Sequence, residues 1–467
     1  MYLGAQLLSM ALIVYATRFL GDVGFGKYTL AISLSGIYVL FSDIGLSKVM
    51  IREIAKNKPM TSEYLGNVAA IKILLSIVTF FLLVVTINVM GYPEDTKIAV
   101  YIAGFAAIIS FFALFYRTVF LAYEKMEYDT LVAVLDKVVM VILGFEFLRS
   151  GLGLLGLVMA LLIGNAVGLT ASFFLVSKRF AKPVCKIRTA FWKDLMKEAW
   201  PFGMISIFGV IFYQVGTVIL SVLKGDAEVG WYGAAFMMVG VLQFIPLSLV
   251  GALFPVFSQL FKSSTDTLKI AYERASKYLY ILALPIAIGT VPVADKIVLV
   301  VFKSAFANTV MALQILVWTV PFTFLTTVSA ELLASVMKQR TVMVSTGICM
   351  IVSTVLNLLL IPSLGFLGTC VAGVVTEMVW FLLLFYFASK YLYELPVHRM
   401  IGKPLVAAAC MGAFVYVFQN FTLFVIAPIA AGIYFGLLFA LKTFDEQDMT
   451  FFRALIFGYG KNKEEVP

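Results

Sequence analysis

Apolar residues in this chain come in long, nearly unbroken runs, neither alternating as in half-buried strands nor confined to one helical face. Ile71–Val89 and Phe421–Leu441 show the pattern, with polar residues scattered singly inside. Fourteen such runs lie near 2–20, 28–46, 66–90, 98–120, 130–148, 153–176, 200–222, 232–257, 278–301, 309–336, 341–361, 366–388, 402–418 and 422–441. A helix crosses the roughly 30 Å hydrocarbon core with about 20 residues, so each run predicts one spanning helix. Outer-membrane barrels are excluded, because their strands alternate polar and apolar residues over about ten positions. The first run starts at Met1 with no charged lead, unlike a secretory signal peptide, and its cytoplasmic lead is expected to be short or missing.

The connections predict the orientation. Taking the amino terminus as cytoplasmic, the loops and tail on that side carry 25 Lys and Arg, and those on the other side carry seven. Positive charge accumulates on the cytoplasmic side of membrane proteins, so both termini are expected there. The richest connection, Ser177–Glu198, holds seven basic residues and is expected to lie as an interfacial helix on an anionic leaflet.

Composition agrees. Of 467 residues, 62% are hydrophobic and 13% charged, and the mean hydropathy is +1.01. Soluble domains run nearer half apolar and a quarter charged, so the surplus must face lipid. The net charge of +9 is accounted for by the loop bias and does not indicate nucleic acid as a partner. Cys185, Cys349, Cys370 and Cys410 lie far apart and His398 is the one histidine, so neither a disulfide framework nor a zinc site is implied.

The chain also resembles itself. GDVGFGKY at 21–28 aligns with GDAEVGWY at 225–232, an offset of 204. At an offset of 212, Leu121-Ala122 matches Leu333-Ala334, and Gly153-Leu-Leu-Gly156 matches Gly365-Phe-Leu-Gly368. These matches predict that helices 1–6 are duplicated as helices 7–12. Six is even, so both copies start from the same side and the repeat is parallel, an arrangement of transporters. The expected divisions are a first lobe at 1–177, a basic linker at 178–199, a second lobe at 200–390, and an added helix pair with its tail at 391–467.

Several stretches resemble a known family. Arg18-Phe-Leu-Gly-Asp-Val-Gly-Phe-Gly-Lys-Tyr28, Ser42-Asp-Ile-Gly-Leu-Ser47, Arg52-Glu-Ile-Ala55, and Tyr116-Arg117 followed by Leu121–Met126 are similar in kind and order to the polysaccharide transporter (Wzx-like oligosaccharide flippase) branch of the MOP superfamily. One departure is Val301-Phe-Lys-Ser304, where that family usually has a glycine. The resemblance implies a MATE-like fold of two six-helix lobes around a central cavity. It also implies passage of an isoprenoid-(pyro)phosphate oligosaccharide from the cytoplasmic to the outer leaflet of the plasma membrane by alternating access. The partners it implies are that lipid-linked oligosaccharide, membrane lipid and glycan-assembly proteins.

Ionisable residues inside spans are functional candidates, because each costs about 2.5–3.5 kcal/mol at the bilayer centre on insertion scales. Arg18, Arg52, Lys72 and Arg117, all in the first four helices, are the candidate substrate-binding cations. Arginine's planar fork suits pyrophosphate oxygens. For Arg18 the other reading is snorkelling with a pair to Asp22. Lys72, six residues into its run, favours snorkelling, and Arg117 leaves both readings open. Asp43, Glu331 and Glu377 are the candidates for ion coupling or pairing within a lobe, with Asp43–Arg52 as an expected structural pair. Buried carboxylates can carry protons, which makes H+ or Na+ a candidate coupling ion; the equal alternative for Glu331 and Glu377 is that they are neutral, hydrogen-bonded packing groups, and no other cofactor or resident metal is expected. The rivals are a MATE-type multidrug or metabolite antiporter and a membrane-embedded glycan polymerase or ligase. An enzyme is disfavoured, since outward loops of about ten residues leave little room for a catalytic site.

Overall fold

A computed structural model describes residues 2–182, 184, 188–393 and 397–444, and among these it is helical throughout, without a strand. Cys185 and the expected cytoplasmic tail from 445 onward lie outside the described residues. The helices are α1 (Tyr2–Val39), α2 (Leu46–Lys56), α3 (Thr61–Val89), α4 (Glu94–Ala122), α5 (Met126–Arg149), α6 (Gly153–Arg179), α7 (Thr189–Lys224) and α8 (Asp226–Leu242). They continue as α9 (Phe244–Ser263), α10 (Thr265–Phe302), α11 (Thr309–Leu316), α12 (Thr319–Ser335), α13 (Gln339–Leu364), α14 (Phe366–Tyr391), α15 (Val397–Val417) and α16 (Leu423–Ala440).

Twelve helical stretches among the described residues are long and apolar enough to cross a membrane, with α8–α9 and α11–α12 each forming one. Two more restore the expected fourteen. α1 is broken at Gly21 (φ 68°, ψ −174°) into two span-length pieces, and α5 has the length but carries more charge. The chain is therefore a multi-pass, all-α membrane protein. On α3, Ile73, Leu74, Ile77 and Phe81 form an exposed apolar stripe, as a lipid-facing helix requires.

Three expected boundaries move. The second span begins at Asp22, directly after the Gly21 break, so the GDVGFG stretch is helical and not a loop. α10 begins at Thr265, thirteen residues before the apolar run expected from 278, and brings Arg274 and Lys277 onto a helix of the second half. The basic connection before residue 200 is largely not a separate interfacial helix. From Thr189 it is the start of α7, which runs unbroken past Pro201. Leu195 and Ala199 on those first turns are buried in a core with Leu46, Val49, Met50 and Ile54 of α2 and Phe115, Val119 and Phe120 of α4. Apolar residues one turn apart gave this segment a face to bury despite its charge.

Close contacts divide the chain into two compact units. The first holds Met1–Met238, Val298–Leu316 and Lys338–Trp380; the second holds Val239–Ile297, Val317–Met337 and Phe381–Pro467. The first unit thus combines all of α1–α7 with α11, α13, most of α8, the first part of α14 and the end of α10. In the second unit α15 and α16 pack on α10 through Ala407, Met411, Ile426 and Tyr434, and the Tyr434 hydroxyl donates to the Ile281 carbonyl at 2.8 Å.

The glycines of the internal match share backbone geometry. Gly225, between α7 and α8, has φ 90° and ψ −177°, close to Gly21. Gly153 and Gly365, which open α6 and precede α14, have φ of 55° and 58°. Positive φ at these points needs glycine, which is why the residue recurs in both copies.

Candidate functional site

The motif Ser42–Ser47 builds a turn around one carboxylate. Ser42 donates to Val39 O at 2.6 Å, Gly45 takes φ 82°, and Ser47 Oγ donates to Asp43 Oδ1 at 2.6 Å. Lys72, on α3, closes the arrangement with Nζ 2.5 Å from Asp43 Oδ1. The lysine side chain is 0% exposed, and its ammonium lies 5.4–5.9 Å from the rings of Phe111, Phe112 and Phe115. Burial alone would raise the Asp43 carboxyl. The Lys72 charge and the hydrogen bonds from Lys72 and Ser47 outweigh it and hold Asp43 below the ordinary carboxylate range.

This corrects two expectations. Lys72 does not snorkel: its α3 position faces the packed interior of the first unit, not the membrane surface. The partner of Asp43 is Lys72 and not Arg52. Arg52 stands exposed on α2, with Nε donating to Glu53 Oε1 at 2.7 Å and Nη2 donating to Glu198 on α7.

Arg117, on α4, is largely buried and its Nε lies 2.7 Å from Asp129 Oδ1 on α5. Arg18 does not pair with Asp22. Its Nε donates to Val301 O at 2.7 Å and its Nη2 to Val300 O, so the fork caps the end of α10. Helix C-termini carry unsatisfied carbonyls and partial negative charge, which a guanidinium satisfies. Asp22 instead accepts the Trp231 indole N–H at 3.0 Å. The four candidate cations are thus held by four different sets of protein groups. The structure joins Lys72 to Asp43 and does not draw the four to one point.

In the same unit Glu377, on α14, is buried, and its Oε1 accepts the Tyr213 hydroxyl of α7 at 3.0 Å. The Tyr213 and Phe212 rings pack on Trp380. Asn165, its counterpart in the internal match, donates to Ala106 O at 3.0 Å. Glu331 is half-buried on α12 of the second unit. That unit also has an apolar groove of about 380 Å³, lined by Pro285, Gly289, Met411, Ile426, Ala427 and Ala431 among others.

Sequence reasoning missed the partners Asp129 and Glu198 and the Tyr213 donor. The usable signal was that an intramembrane charge needs an opposite one. Asp129 is twelve residues from Arg117, across a turn, and Glu198 is 146 from Arg52, so no helical spacing linked them.

The arrangement of helices defines the class: this is a membrane protein with a MATE-like fold. Over 97% of its length it matches the lipid II flippase MurJ in an inward closed conformation, covering 99% of that chain, with a TM-score of 0.77 and 16% identity. An inward-facing multidrug resistance MATE transporter of the MOP superfamily matches over 83% of this chain and 94% of its own, with a TM-score of 0.70 and 16% identity. The chain belongs to the polysaccharide biosynthesis protein family, whose model matches residues 1–261; the MatE model matches residues 201–359. It is 22% identical to the probable low-salt glycan biosynthesis flippase Agl15 of Haloferax volcanii, over 91% of this chain and 89% of that one. It is 23% identical over 58% of its length to an uncharacterized membrane protein, MJ1068, of Methanocaldococcus jannaschii, covering 55% of that protein.

Proposed function

We propose that this protein is a flippase that moves an isoprenoid-(pyro)phosphate oligosaccharide from the cytoplasmic to the outer leaflet of the plasma membrane, with both termini cytoplasmic. The observation that carries the reading is full-length likeness. The similarity to the probable glycan flippase Agl15 and the fold of MurJ both extend over nine-tenths or more of this chain. The MATE structure leaves out 17% of it, about the size of the α15–α16 pair and tail. The apolar groove of α10, α15 and α16 offers a lipid-linked cargo a place for its isoprenoid chain.

Helices 1–6 and 7–12 act as two lobes that open alternately to the two sides. Head-group contact falls to Arg52 and Arg117, whose forks suit phosphate oxygens. Lys72 and Arg18 are positioning residues, held by Asp43 and by the end of α10. Glu377, with Tyr213, is the carboxylate for H+ or Na+ coupling. The chain works as a transporter and not as an enzyme, alongside the glycan-assembly proteins that make and use its cargo.

The second reading, a MATE-type antiporter, rests on the MatE match at 201–359. One reconstitution separates the two. Vesicles holding the purified protein and a lipid-linked oligosaccharide in the inner leaflet should expose that glycan to external lectin, whereas preloaded cationic dyes should stay inside. Dye efflux driven by an ion gradient, without glycan exposure, would replace the flippase reading with the antiporter.

A further inference from the structure

An apolar groove of about 530 Å³ runs along α6, lined by Leu162, Ile163, Ala166, Val167, Thr170 and Phe174 among others. Leu162, Ala166, Thr170 and Phe174 follow one another at intervals of four, so they form a single row on one face of the helix. Thr170 donates its hydroxyl to Ala166 O at 2.8 Å, which spends the one hydroxyl proton of the lining. What remains suits a hydrocarbon chain. From Leu162 to Phe174 the row rises about 18 Å, close to the ~15 Å of hydrocarbon in one leaflet.

One more step of four along the row is Lys178, whose Nζ lies 5.4 Å from the centre of the Phe174 ring. The groove therefore ends in a cation, on the side that the loop charges assign to the cytoplasm. Arg179 and Lys182 follow it, and all three are exposed. Arg179 is held in place: its Nη1 donates to the Tyr128 hydroxyl of α5, and its guanidinium lies 5.4 Å from that ring. Tyr128 in turn packs against Phe120 and Phe180, each 5.7 Å away. The charge here is unspent. On the same side Arg52, Lys56, Lys125 and Arg188 each have a carboxylate at 2.7–3.7 Å. Among the described residues Lys178, Arg179 and Lys182 have none.

We infer that this face of α6 binds one anionic glycerophospholipid of the cytoplasmic leaflet, with an acyl chain in the groove and the phosphate on Lys178, flanked by Arg179 and Lys182. The groove by itself would accept any lipid. The cations at its head-group end select a negative one, because each basic residue near an anionic head group adds attraction. A zwitterionic head group brings a cation of its own to the three and gains little. The length of the groove matches an acyl chain, whereas a polyisoprenoid is much longer and would leave most of its tail outside.

The test uses the full chain in phosphatidylcholine vesicles that hold a minor fraction of phosphatidylglycerol with a photoactivatable diazirine midway along one acyl chain. After illumination, peptide mass spectrometry should find the label concentrated on residues 162–174. The same probe with a phosphatidylcholine head group should label that stretch several-fold less. Lys178→Gln should lower the phosphatidylglycerol labelling about fivefold. Thr170→Trp, which fills the groove from an exposed position, should lower it at least as far. Lys193→Gln, which removes an exposed cation from the first turns of α7, should leave it unchanged. Equal labelling of the parent by the two head groups overturns the proposal, and this comparison needs no variant to fold. Equal losses in Lys178→Gln and Lys193→Gln overturn it too, since they mean diffuse attraction to a basic surface. Displacement of the probe by excess isoprenyl pyrophosphate, but not by unlabelled phosphatidylglycerol, overturns it and assigns the groove to the cargo. No arm of this test measures flipping, so its failure leaves the proposed function standing.

Discussion

Lys72 shows how a single buried charge is made tolerable. Its pair with Asp43 is short, hydrogen-bonded through Ser47 and ringed by phenylalanines. Breaking such a pair from one side strands a charge and costs about 3–5 kcal/mol. Lys72→Met should therefore lower the melting temperature of the detergent-purified protein markedly, and adding Asp43→Leu should recover most of the loss. A direct substrate ligand would show the reverse, with transport lost at unchanged stability. Because Asp43 is held below the ordinary carboxylate range, the pair contributes fully above about pH 4 and fades as pH falls through the depressed value. Asp43→Asn, with no carboxylate left to titrate there, should be less stable than the parent near neutral pH and should lose this pair's share of the acid-dependent fall in stability. Lys303 carries the opposite lesson. It occupies the place where the family usually has glycine, and its backbone keeps a glycine's geometry, φ 67° and ψ −174°, a strain of order 1–3 kcal/mol. Lys303→Gly should raise the melting temperature by one to a few degrees in a thermal scan; a fall would mean that the lysine compensates for its own strain.

At the scale of elements, legibility followed hydrophobic length. Spans such as α3, α4 and α13 are unbroken apolar runs, and the sequence placed them within a few residues. The errors lie where a helix continues beyond its apolar part, as at the starts of α7 and α10, because charged residues form helix readily and hydropathy does not register it. The α7 extension has a direct check. Along 193–199 the exposed positions are Lys193, Asp194, Lys197 and Glu198, and the buried ones are Leu195 and Ala199. Single cysteines should label at 193, 194, 197 and 198 but not at 195 or 199, and with impermeant reagent only once the membrane is opened. Uniform labelling along the stretch would mean it is a surface loop, and labelling of intact cells would reverse the topology. The candidate site was less legible than the spans. Asp43–Lys72 and Arg117–Asp129 lie 29 and 12 residues apart, and only the packing of α3, α4 and α5 turns those separations into contacts.

At the scale of the whole molecule, the proposed function assigns the charge of a cargo and its lipid tail to different parts of the chain. The loop bias and the internal match speak to topology and duplication, while the helices beyond the repeat, α15 and α16, are accounted for by neither. Their packing on α10 leaves an apolar groove in which Ala427 and Ala431 line the wall and stand exposed. In a transporter of soluble cargo that groove would hold ordinary lipid, and filling it would matter little. In a flippase for an isoprenoid-linked glycan it is where a tail can rest while the head group crosses, so filling it should compete with the cargo. Ala427→Trp and Ala431→Trp point outward from the buried contacts of Ile426, Ala430 and Tyr434, so the fold should tolerate them. Glycan export by the double variant should fall at least roughly tenfold, the effect of about 1.4 kcal/mol, at parent-level abundance in the membrane. A short-chain lipid analogue carrying the same head group should be flipped almost normally by the same variant, since it lacks the tail that the tryptophans displace. If both substrates are flipped at parent rates, the groove has no part in transport and the tail crosses elsewhere; if both fail equally, the substitutions have disturbed α10 itself.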